Sequence, residues 1–472
     1  MALKKKPVTG MKDVMPAEME IRDYCISVIK KTYAEFGFQG IETPCVEDIG
    51  NLTSKSGGDN EKLIFKILKR GEKLRLADAK TEADLVDGGL RYDLTVPLVR
   101  YYAAHENELA TPFKALQMGN VWRADRPQKG RYRQFMQCDI DIIGEPSNLA
   151  EIELILATTT TLGRLGFKNF QIRSNERRIL KAMARYSGFP EERFDEVFIT
   201  LDKMDKIGRD GVRSELSEAG FAAEAVEKYL DLFDGLDAAG GAPDAAARDH
   251  NDAPAGDDHD PAVSGGTAAA GEGGTGSALP APEDASGTDD SAQRMLTYLE
   301  TVLEGCIEPD VIPNLRETIG TVEAVKQADF RMVFDPTIVR GMSYYTGTIF
   351  EIAMPELGIS AGGGGRYDGM VGKFTGRDVP ACGFSIGFER IILVLLEQGF
   401  QVPGQNEKVA ILLEKNLPPE RLAAAMARAQ ELRAEGKSVL VVRMNKNKKF
   451  QKQQLEQQGY AAFEEVYARP LA

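Results

Sequence analysis

Apolar residues recur at helical spacing near the start of the chain. In the segment MPAEMEIRDYCISVIKKTYAEFG, the positions Ile21, Cys25 and Val28 share one face, and Gly37 is the last residue. This spacing predicts an amphipathic helix that Gly37 terminates. The next segment, FQGIETPCVED, is typical of a strand, and Pro44 interrupts it.

Strand patterns then dominate up to about residue 143. KLIFKILKRGEKLRLAD predicts a hairpin with Arg70 and Gly71 at its turn, and LRYDLTVPLVRYYAAH predicts a short strand followed by a helix that Pro97 opens. FKALQMGNVWRAD and GRYRQFMQCDIDIIG predict two strands around a polar loop. Consecutive hairpins without intervening helices favour an antiparallel sheet.

The second half of the chain changes character several times. Residues 175–232 have a helical pattern, strand patterns return from Phe330, and from Glu407 the order strand, helix, strand, helix predicts a small α/β domain. Together these patterns predict an α+β protein. We assign its domains as a catalytic core over 1–174 and 326–398, a helical insertion over 175–325 and a C-terminal domain over 407–472.

Residues 238–290 interrupt the helical insertion. They contain no aromatic residue and almost no large aliphatic one. Such a segment cannot bury enough apolar surface to offset an ordering cost of roughly 1–2 kcal/mol per residue, so we predict that it is disordered. It carries nine Asp and two Glu against one Arg, and therefore most of the chain's net charge of −14. The overall charge is thus a poor guide to partners.

Composition narrows the class of protein. Of the 472 residues, 43% are hydrophobic and 28% charged, as in a globular protein without a membrane span, and the first residues lack the apolar stretch of a secretory signal. We therefore expect a cytoplasmic protein with no membrane partner. Five scattered cysteines and three histidines, two of them in the acidic segment, argue against disulfides, a zinc centre and a Ser-His-Asp triad.

The polar loop between the two long predicted strands offers the first candidate chemistry. Arg123 stands just after Trp122 at the end of one strand, and Gln137, Asp139 and Asp141 alternate on the other. Period-two spacing places these three side chains on one face of the sheet. A solvated hairpin tip is the alternative, but arginine near carboxylates suits a ligand that carries both phosphate and ammonium.

Two further arginines occupy positions where apolar residues would be expected. Arg340 lies in RGMSYYTG between apolar stretches, and Arg390 lies in the first turn of the apolar helix of GFSIGFERI, where the helix dipole favours acids. Each arginine alone is compatible with a buried ion pair. Together with Arg123, and without a P-loop, they favour a nucleoside triphosphate held by guanidinium groups. The glycine run Gly362–Gly365 suits either a flat ligand or a structural bulge.

These segments, in this order, resemble the class II aminoacyl-tRNA synthetases, and specifically the histidyl-tRNA synthetases. GMKDVMPAEM with TPCVED resembles motif 1, VWRADRPQKGRYRQFMQCDID resembles motif 2, and GFSIGFERI resembles motif 3. RGMSYYTGTIFE and GGGGRYDGMVGKF resemble the two histidine-specific signatures. The resemblance implies a class II antiparallel-sheet catalytic domain with a helical insertion, and a small C-terminal anticodon-binding-like domain.

The resemblance also implies a reaction and its residues. L-Histidine and ATP would form histidyl-adenylate with the help of Mg²⁺, and the histidyl group would pass to the 3′ end of tRNA(His), in a homodimer joined through motif 1. No protein ligand to a metal is implied. The catalytic residues would be Arg340, Arg123 and Arg390. ATP would contact Arg123, Asp125 and Arg390. Histidine would contact Asp93, Thr95, Gln137, Asp141, Arg340, Tyr344 and Tyr345.

Three departures from the family pattern bear on these expectations. Ser343 stands where the family usually has Asp, and Asp125 stands where motif 2 commonly has Glu. After KNKKFQKQQLEQQGYAAF the family normally continues with another strand and helix, so we expect a shortened C-terminal domain. The alternatives are a catalytically inactive synthetase-like regulatory subunit of histidine biosynthesis, a tRNA-sensing module, and a class II synthetase for another amino acid.

Overall fold

A computed structural model describes residues 3–53, 59–128, 130–241, 290–339, 345–358 and 360–469. The chain divides into two compact units. The first comprises the residues up to Lys12 together with Val28–Val394, and the second comprises Asp13–Ser27 and the residues from Leu395 onward. Most of the segment predicted to be disordered lies outside the described residues, as do Arg340, Ser343 and Tyr344.

Helices and strands alternate along the chain. The helices are α1 (Pro16–Glu35), α2 (Ile49–Thr53), α3 (Thr95–His105), α4 (Leu149–Arg164), α5 (Arg177–Ser187), α6 (Phe194–Leu201), α7 (Met204–Glu218), α8 (Ala223–Gly240), α9 (Ser291–Val302), α10 (Val311–Val325), α11 (Asp368–Thr375), α12 (Phe388–Glu397), α13 (Pro419–Ala434) and α14 (Lys448–Gln457). The strands are β1 (Gln39–Ile41), β2 (Val46–Asp48), β3 (Lys66–Leu68), β4 (Val86–Leu90), β5 (Phe113–Trp122), β6 (Gln134–Ile143), β7 (Phe170–Glu176), β8 (Phe330–Phe334), β9 (Thr348–Ala353), β10 (Ser360–Arg366), β11 (Ala381–Ile386), β12 (Lys408–Leu413), β13 (Ser438–Arg443) and β14 (Tyr460–Val466).

A large sheet forms the centre of the first unit. Its strand order among the described residues is β1-β5-β6-β11-β10-β9-β7-β8. Adjacent strands are antiparallel except for the pairs β1–β5 and β7–β8. The predicted long hairpin is confirmed as β5 and β6, which pair from Phe113 opposite Ile143 to Trp122 opposite Gln134. The α+β fold class is therefore confirmed, with a mainly antiparallel sheet.

The helical insertion is the connection between two parallel strands. β7 and β8 pair in parallel, with Phe170 opposite Phe330, and parallel neighbours require a long crossover. Helices α5 to α10 lie within that crossover. The crossover has aromatic residues in its core, where the Tyr229 ring packs edge-on against Phe189 and Phe233 with ring centroids 5.4 and 5.5 Å apart.

Local predictions in the first part of the chain are only partly confirmed. KLIFKILKRGEKLRLAD is not a hairpin, because β3 pairs with the distant β4 and Gly71–Lys73 form a single 3₁₀ turn. FQGIETPCVED is interrupted around Pro44 as predicted, and its two parts separate, because β1 joins the large sheet while β2 joins a small sheet of order β2-β4-β3. Helix α3 also begins before Pro97, at Thr95, where the Asp93 carboxylate accepts a hydrogen bond from the Val96 amide at 3.0 Å.

The second unit contains a small parallel sheet of order β13-β12-β14. Helix α13 packs on one apolar face of this sheet, and α14 packs on the other. The sequence predicted the order strand, helix, strand, helix for this unit. The structure adds a third strand at the end, because the QGYAAFEEV segment after α14 forms β14. No helix in the described part of the chain has both the length and the apolar character needed to cross a bilayer.

Candidate active site

A cleft of about 390 Å³ lies on one face of the large sheet. Its floor consists of β6, β10 and β11, and its rim includes the start of α3, the start of α12 and the loop after β5. The cleft brings together eight of the ten predicted site residues, namely Asp93, Thr95, Arg123, Asp125, Gln137, Asp141, Tyr345 and Arg390. The other two, Arg340 and Tyr344, lie outside the described residues.

Arg123 is held between two aromatic rings. Its guanidinium carbon lies 4.3 Å from the centroid of Tyr92 and 5.2 Å from that of Phe135, and its Nε donates to the Tyr92 carbonyl at 3.1 Å. The stacking and the single backbone bond fix the plane of the guanidinium. A guanidinium fixed in this way can present its terminal nitrogens to an anion in the cleft.

Arg390 and Glu389 lie side by side in the first turn of α12. Arg390 Nη1 donates to the Ser360 carbonyl of β10, which brings this side chain across the end of the sheet. Glu389 accepts a hydrogen bond from the Met136 amide at 3.2 Å, and a carboxylate suits the positive end of the helix dipole. The start of α12 therefore contributes one cation and one carboxylate to the cleft.

The acceptors of the cleft lie mainly along β6. Gln137, Asp139 and Asp141 all line it, which confirms that their period-two spacing places them on one face. Asp139 and Asp141 are both buried, and the Tyr367 hydroxyl donates to Asp141 Oδ1 at 2.6 Å. Gln137 Oε1 is buried and has no hydrogen-bond partner among the described residues. A buried acceptor that lacks a partner costs free energy until a donor fills its position.

Burial shifts the acidity of both aspartates. Burial raises the pKa of Asp141 to about 7; the Tyr367 hydrogen bond opposes this rise, and the nearby charge of Asp93 adds to it. Burial also raises the pKa of Asp139 well above its usual value, together with the charge of Asp141, while the Ser385 hydroxyl opposes the rise. Three carboxyl groups so close together favour a cationic ligand.

Glycines allow the backbone of the cleft floor to approach its neighbours. A Cβ at Gly383 would overlap with Asp141 Oδ1, and a Cβ at Gly364 would overlap with the Gly383 carbonyl across the β10–β11 pair. The predicted glycine run is thus a regular part of β10, and a register shift, one of the two predicted alternatives, lies at its start between Ser360 and Gly362. Glycine at 383 leaves the space that the Asp141 carboxylate occupies.

Several cleft residues had no predicted substrate contact, namely Asp139, Tyr367, Ser385 and Glu389. Ser385 faces Asp139 and Gly383 faces Asp141 across the β6–β11 pair. The sequence contains one usable signal, the alternation that places Asp139 between Gln137 and Asp141. The pairing of β6 with β11 joins segments about 240 residues apart, and no local pattern predicts it.

Comparisons with known proteins agree with this geometry. The histidyl-tRNA synthetase family model matches residues 10–264 and 277–391. The histidine–tRNA ligase of Leifsonia xyli subsp. xyli is 43% identical, over 97% of this chain and 94% of that protein. The probable histidine–tRNA ligase of Tropheryma whipplei (strain Twist) is 37% identical, over 100% of this chain and 97% of that protein.

A solved structure shows the same architecture. The crystal structure of histidyl-tRNA synthetase from Nostoc sp. PCC 7120 matches with a TM-score of 0.71 at 26% identity, covering 97% of this chain and 90% of that one. On the strength of the family match, the sequence identity and the shared fold, this chain belongs to the histidyl-tRNA synthetase family of class II aminoacyl-tRNA synthetases.

Proposed function

We propose that this chain activates L-histidine with ATP and transfers the histidyl group to tRNA(His). The observation that carries the proposal is that one cleft holds three guanidinium groups, Arg123, Arg131 and Arg390, together with the acceptors of β6. Arginines bind phosphates, and buried acceptors bind ammonium and imidazole N–H groups. Family membership supports the same reaction.

Two of these arginines, Arg123 and Arg390, are assigned to ATP. Arg123 binds the α-phosphate, since its guanidinium is fixed by Tyr92 and Phe135 and its terminal nitrogens are oriented by that stacking. Arg390 binds the γ-phosphate, and Asp125 contacts the nucleotide from the loop after β5. For Arg340 the resemblance to the family assigns a position between the α-phosphate and the histidine carboxylate.

The acceptors are assigned to histidine. Asp93, Thr95 and Gln137 hold the α-ammonium group, and Asp141 and Tyr345 pair with the imidazole nitrogens; the family signature adds Tyr344. A pocket that pairs both ring nitrogens rejects side chains without them, because its own buried groups would remain unpaired. Gln137 Oε1, which has no hydrogen-bond partner among the described residues, can accept a hydrogen bond from the α-ammonium group of the substrate.

The reaction needs no nucleophilic side chain. A histidine carboxylate oxygen attacks the α-phosphorus, the bond to the bridging oxygen breaks, and pyrophosphate leaves. A ribose hydroxyl of the tRNA then attacks the histidyl carbonyl, and AMP leaves. The protein's residues contribute by positioning the substrates and by neutralising the charge that grows on the phosphate oxygens in the transition state.

Mg²⁺ would accompany the phosphates of ATP and screen their charge. Among the described residues there is no group of three or more His, Cys, Asp or Glu side chains that could hold a metal by itself. Glu389 lines the cleft and has one carboxylate oxygen on the Met136 amide. The donor set therefore fits a metal that is held mainly by the nucleotide, with Glu389 as the candidate protein contact.

The proposal also implies a cellular compartment, a homodimer and a contact with the anticodon arm of the tRNA. A tRNA ligase of this class acts in the cytoplasm, where its tRNA is, and motif 1 would join two copies into a homodimer. The small parallel sheet of the second unit, with α13 and α14, would contact the anticodon arm of the tRNA.

The experiment that tests the proposal is amino-acid-dependent exchange of pyrophosphate into ATP, measured separately with each amino acid. We expect exchange with histidine and background levels with the others. Background exchange with histidine would favour a regulatory subunit or a tRNA-sensing module. Equal exchange with another amino acid would place the chain in another specificity class.

Acid should weaken histidine binding through Asp141. Because the raised pKa keeps this carboxyl protonated below about pH 7, the ionised acceptor for an imidazole N–H is present above pH 7 and is lost as the pH falls. We expect the KM for histidine to rise towards tenfold per pH unit of acidification once Asp141 is mostly protonated. The measurement is KM for histidine in the exchange assay between pH 6 and 8.5.

Asp141→Asn is the matched control, since it keeps the shape but cannot ionise. The imidazole of free histidine titrates near pH 6.5 in both assays, so the difference between the two profiles isolates Asp141. We expect the variant to have a raised KM and a flatter profile. Two profiles of equal slope would show that the ionisation of Asp141 does not control histidine binding.

A further inference from the structure

The orientation of the Gln137 amide decides what this residue offers to a ligand. A side-chain amide presents an acceptor on one side and two donors on the other, so a half-turn exchanges the two. In the structure Gln137 Nε2 lies 3.4 Å from Asp139 Oδ2 and 3.5 Å from Ser385 Oγ. Oε1 is consequently the atom left for the substrate, and it has no partner among the described residues.

Asp139 determines this orientation. Its carboxylate is buried, with 5% of the residue exposed, and Ser385 Oγ donates to its Oδ1 from the facing position of β11. A carboxylate only accepts hydrogen bonds, so Oδ2 requires the NH₂ side of the Gln137 amide. The reversed amide would place two acceptors, Gln137 Oε1 and Asp139 Oδ2, against each other in a buried site.

The arrangement is also compatible with a neutral Asp139 whose proton lies on Oδ1, the oxygen that faces Ser385. A proton on Oδ1 would turn the Ser385 hydrogen bond round, because the hydroxyl can accept as well as donate. Oδ2 would remain an acceptor for Gln137 Nε2. The effect of Asp139 on Gln137 is therefore one of orientation both in the ionised form and in the form protonated on Oδ1.

We propose that Asp139, held by Ser385, is a positioning residue that turns the Gln137 amide so that Oε1 accepts a hydrogen bond from the α-ammonium group of the amino acid substrate. This inference rests on the proposed function, since Gln137 faces an α-ammonium group only if the cleft binds histidine. It makes the pocket selective for the α-amino group. An analogue without that group leaves the buried acceptor unpaired.

Three variants separate orientation from charge and from packing. Asp139→Ala removes both carboxylate oxygens, so the Gln137 amide becomes free to reverse. We expect the KM for histidine to rise about 10- to 30-fold, which is the usual cost of losing a hydrogen bond to a charged group. Asp139→Asn can offer its oxygen to Gln137 and its NH₂ to Ser385, so we expect most of the affinity to return. Ser385→Ala removes one of the two partners of Gln137 Nε2, and we expect a smaller rise of about threefold.

The readout compares two ligands in each protein. One is the KM for histidine in pyrophosphate exchange, and the other is the inhibition constant of 3-(imidazol-4-yl)propanoate, which is histidine without its α-amino group. We expect Asp139→Ala to weaken histidine but to leave the inhibition constant of the analogue and the KM for ATP unchanged. Adding Gln137→Leu to Asp139→Ala should weaken histidine no further than Gln137→Leu alone.

Each other outcome overturns the inference in a distinct way. If Asp139→Asn is as damaging as Asp139→Ala, the negative charge matters and the amide orientation does not. If the analogue and ATP weaken as much as histidine, Asp139 supports the cleft as a whole. If Ser385→Ala leaves the KM for histidine unchanged, the hydroxyl does not hold Asp139. Absent exchange with histidine in the wild-type protein would instead refute the proposed function.

Discussion

Replacing Arg123 with alanine should reduce histidine-dependent pyrophosphate exchange by about 10²- to 10³-fold, the usual loss when one donor to a transition-state oxyanion is removed. The guanidinium is stacked between Tyr92 and Phe135, so it is already positioned before the substrate arrives. The loss should appear mainly in kcat, because negative charge on the α-phosphate oxygens grows in the transition state. Single-turnover formation of the adenylate would measure this directly.

Two variants sharpen the test of Arg123. Arg123→Lys keeps the charge but not the planar fork, so we expect a partial loss. Arg126→Ala removes the same charge from the same loop, at an exposed position that does not line the cleft, and should leave exchange near the wild-type rate. Equal losses at positions 123 and 126 would show that loop charge, and not a contact in the cleft, supports the reaction.

Replacing Arg366 with alanine should lower the free energy of unfolding by about 3–5 kcal/mol, the usual cost of leaving one partner of a buried ion pair without the other. Arg366 forms two hydrogen bonds of 2.7 Å with Glu151, and both residues are buried. Burial alone would lower the pKa of Arg366, but the hydrogen bonds and charge of Glu151 raise it. Arg366 also donates to the Ser147 carbonyl at 2.8 Å.

Urea denaturation of the full chain measures this cost. Arg366→Leu combined with Glu151→Leu should recover much of the loss, because an apolar pair of similar size leaves no uncompensated charge. Arg377→Ala removes an arginine that pairs with Glu106 at the exposed surface, and it should leave the midpoint unchanged. A midpoint for Arg366→Ala that equals the midpoint for Arg377→Ala would contradict the proposed importance of the buried pair.

Arg366 also links stability to the site. It directly precedes Tyr367, whose hydroxyl donates to Asp141 at 2.6 Å. The same ion pair that anchors the end of β10 to α4 therefore fixes the residue that orients a proposed imidazole acceptor. Destabilised Arg366 variants should for this reason lose affinity for histidine at temperatures at which they are still folded.

The sequence predicted those parts of the fold that local patterns encode. The β5–β6 hairpin and the shared face of Gln137, Asp139 and Asp141 follow from strand alternation, and α1 follows from helical spacing. The wrong prediction of a hairpin at Arg70 and Gly71 shows the limit of local sequence patterns. There β3 pairs with β4, which begins about 18 residues later, and the local turn signal gives no information about that partner.

The residues of the candidate site also fall into two groups, those that local sequence predicts and those whose roles depend on strand pairing. Most of the site residues were predictable because arginines and acids in strands are unusual, and because the motifs resemble those of a family. The roles of Ser385 and Gly383 were not predictable, because they depend on which strand pairs with β6. Tyr367 likewise reaches Asp141 from the end of β10, 226 positions away in the sequence. Long-range register determines these contacts, and alternation along one strand does not contain it.

The most direct measurement of the central claim is charging of total tRNA by the purified chain with ATP, Mg²⁺ and each amino acid in turn, followed by identification of the charged tRNA. The cleft geometry and the family membership predict histidine attached to tRNA(His) and background charging with every other amino acid. Failure to charge any tRNA with histidine, or equal charging with a second amino acid, would contradict the claim.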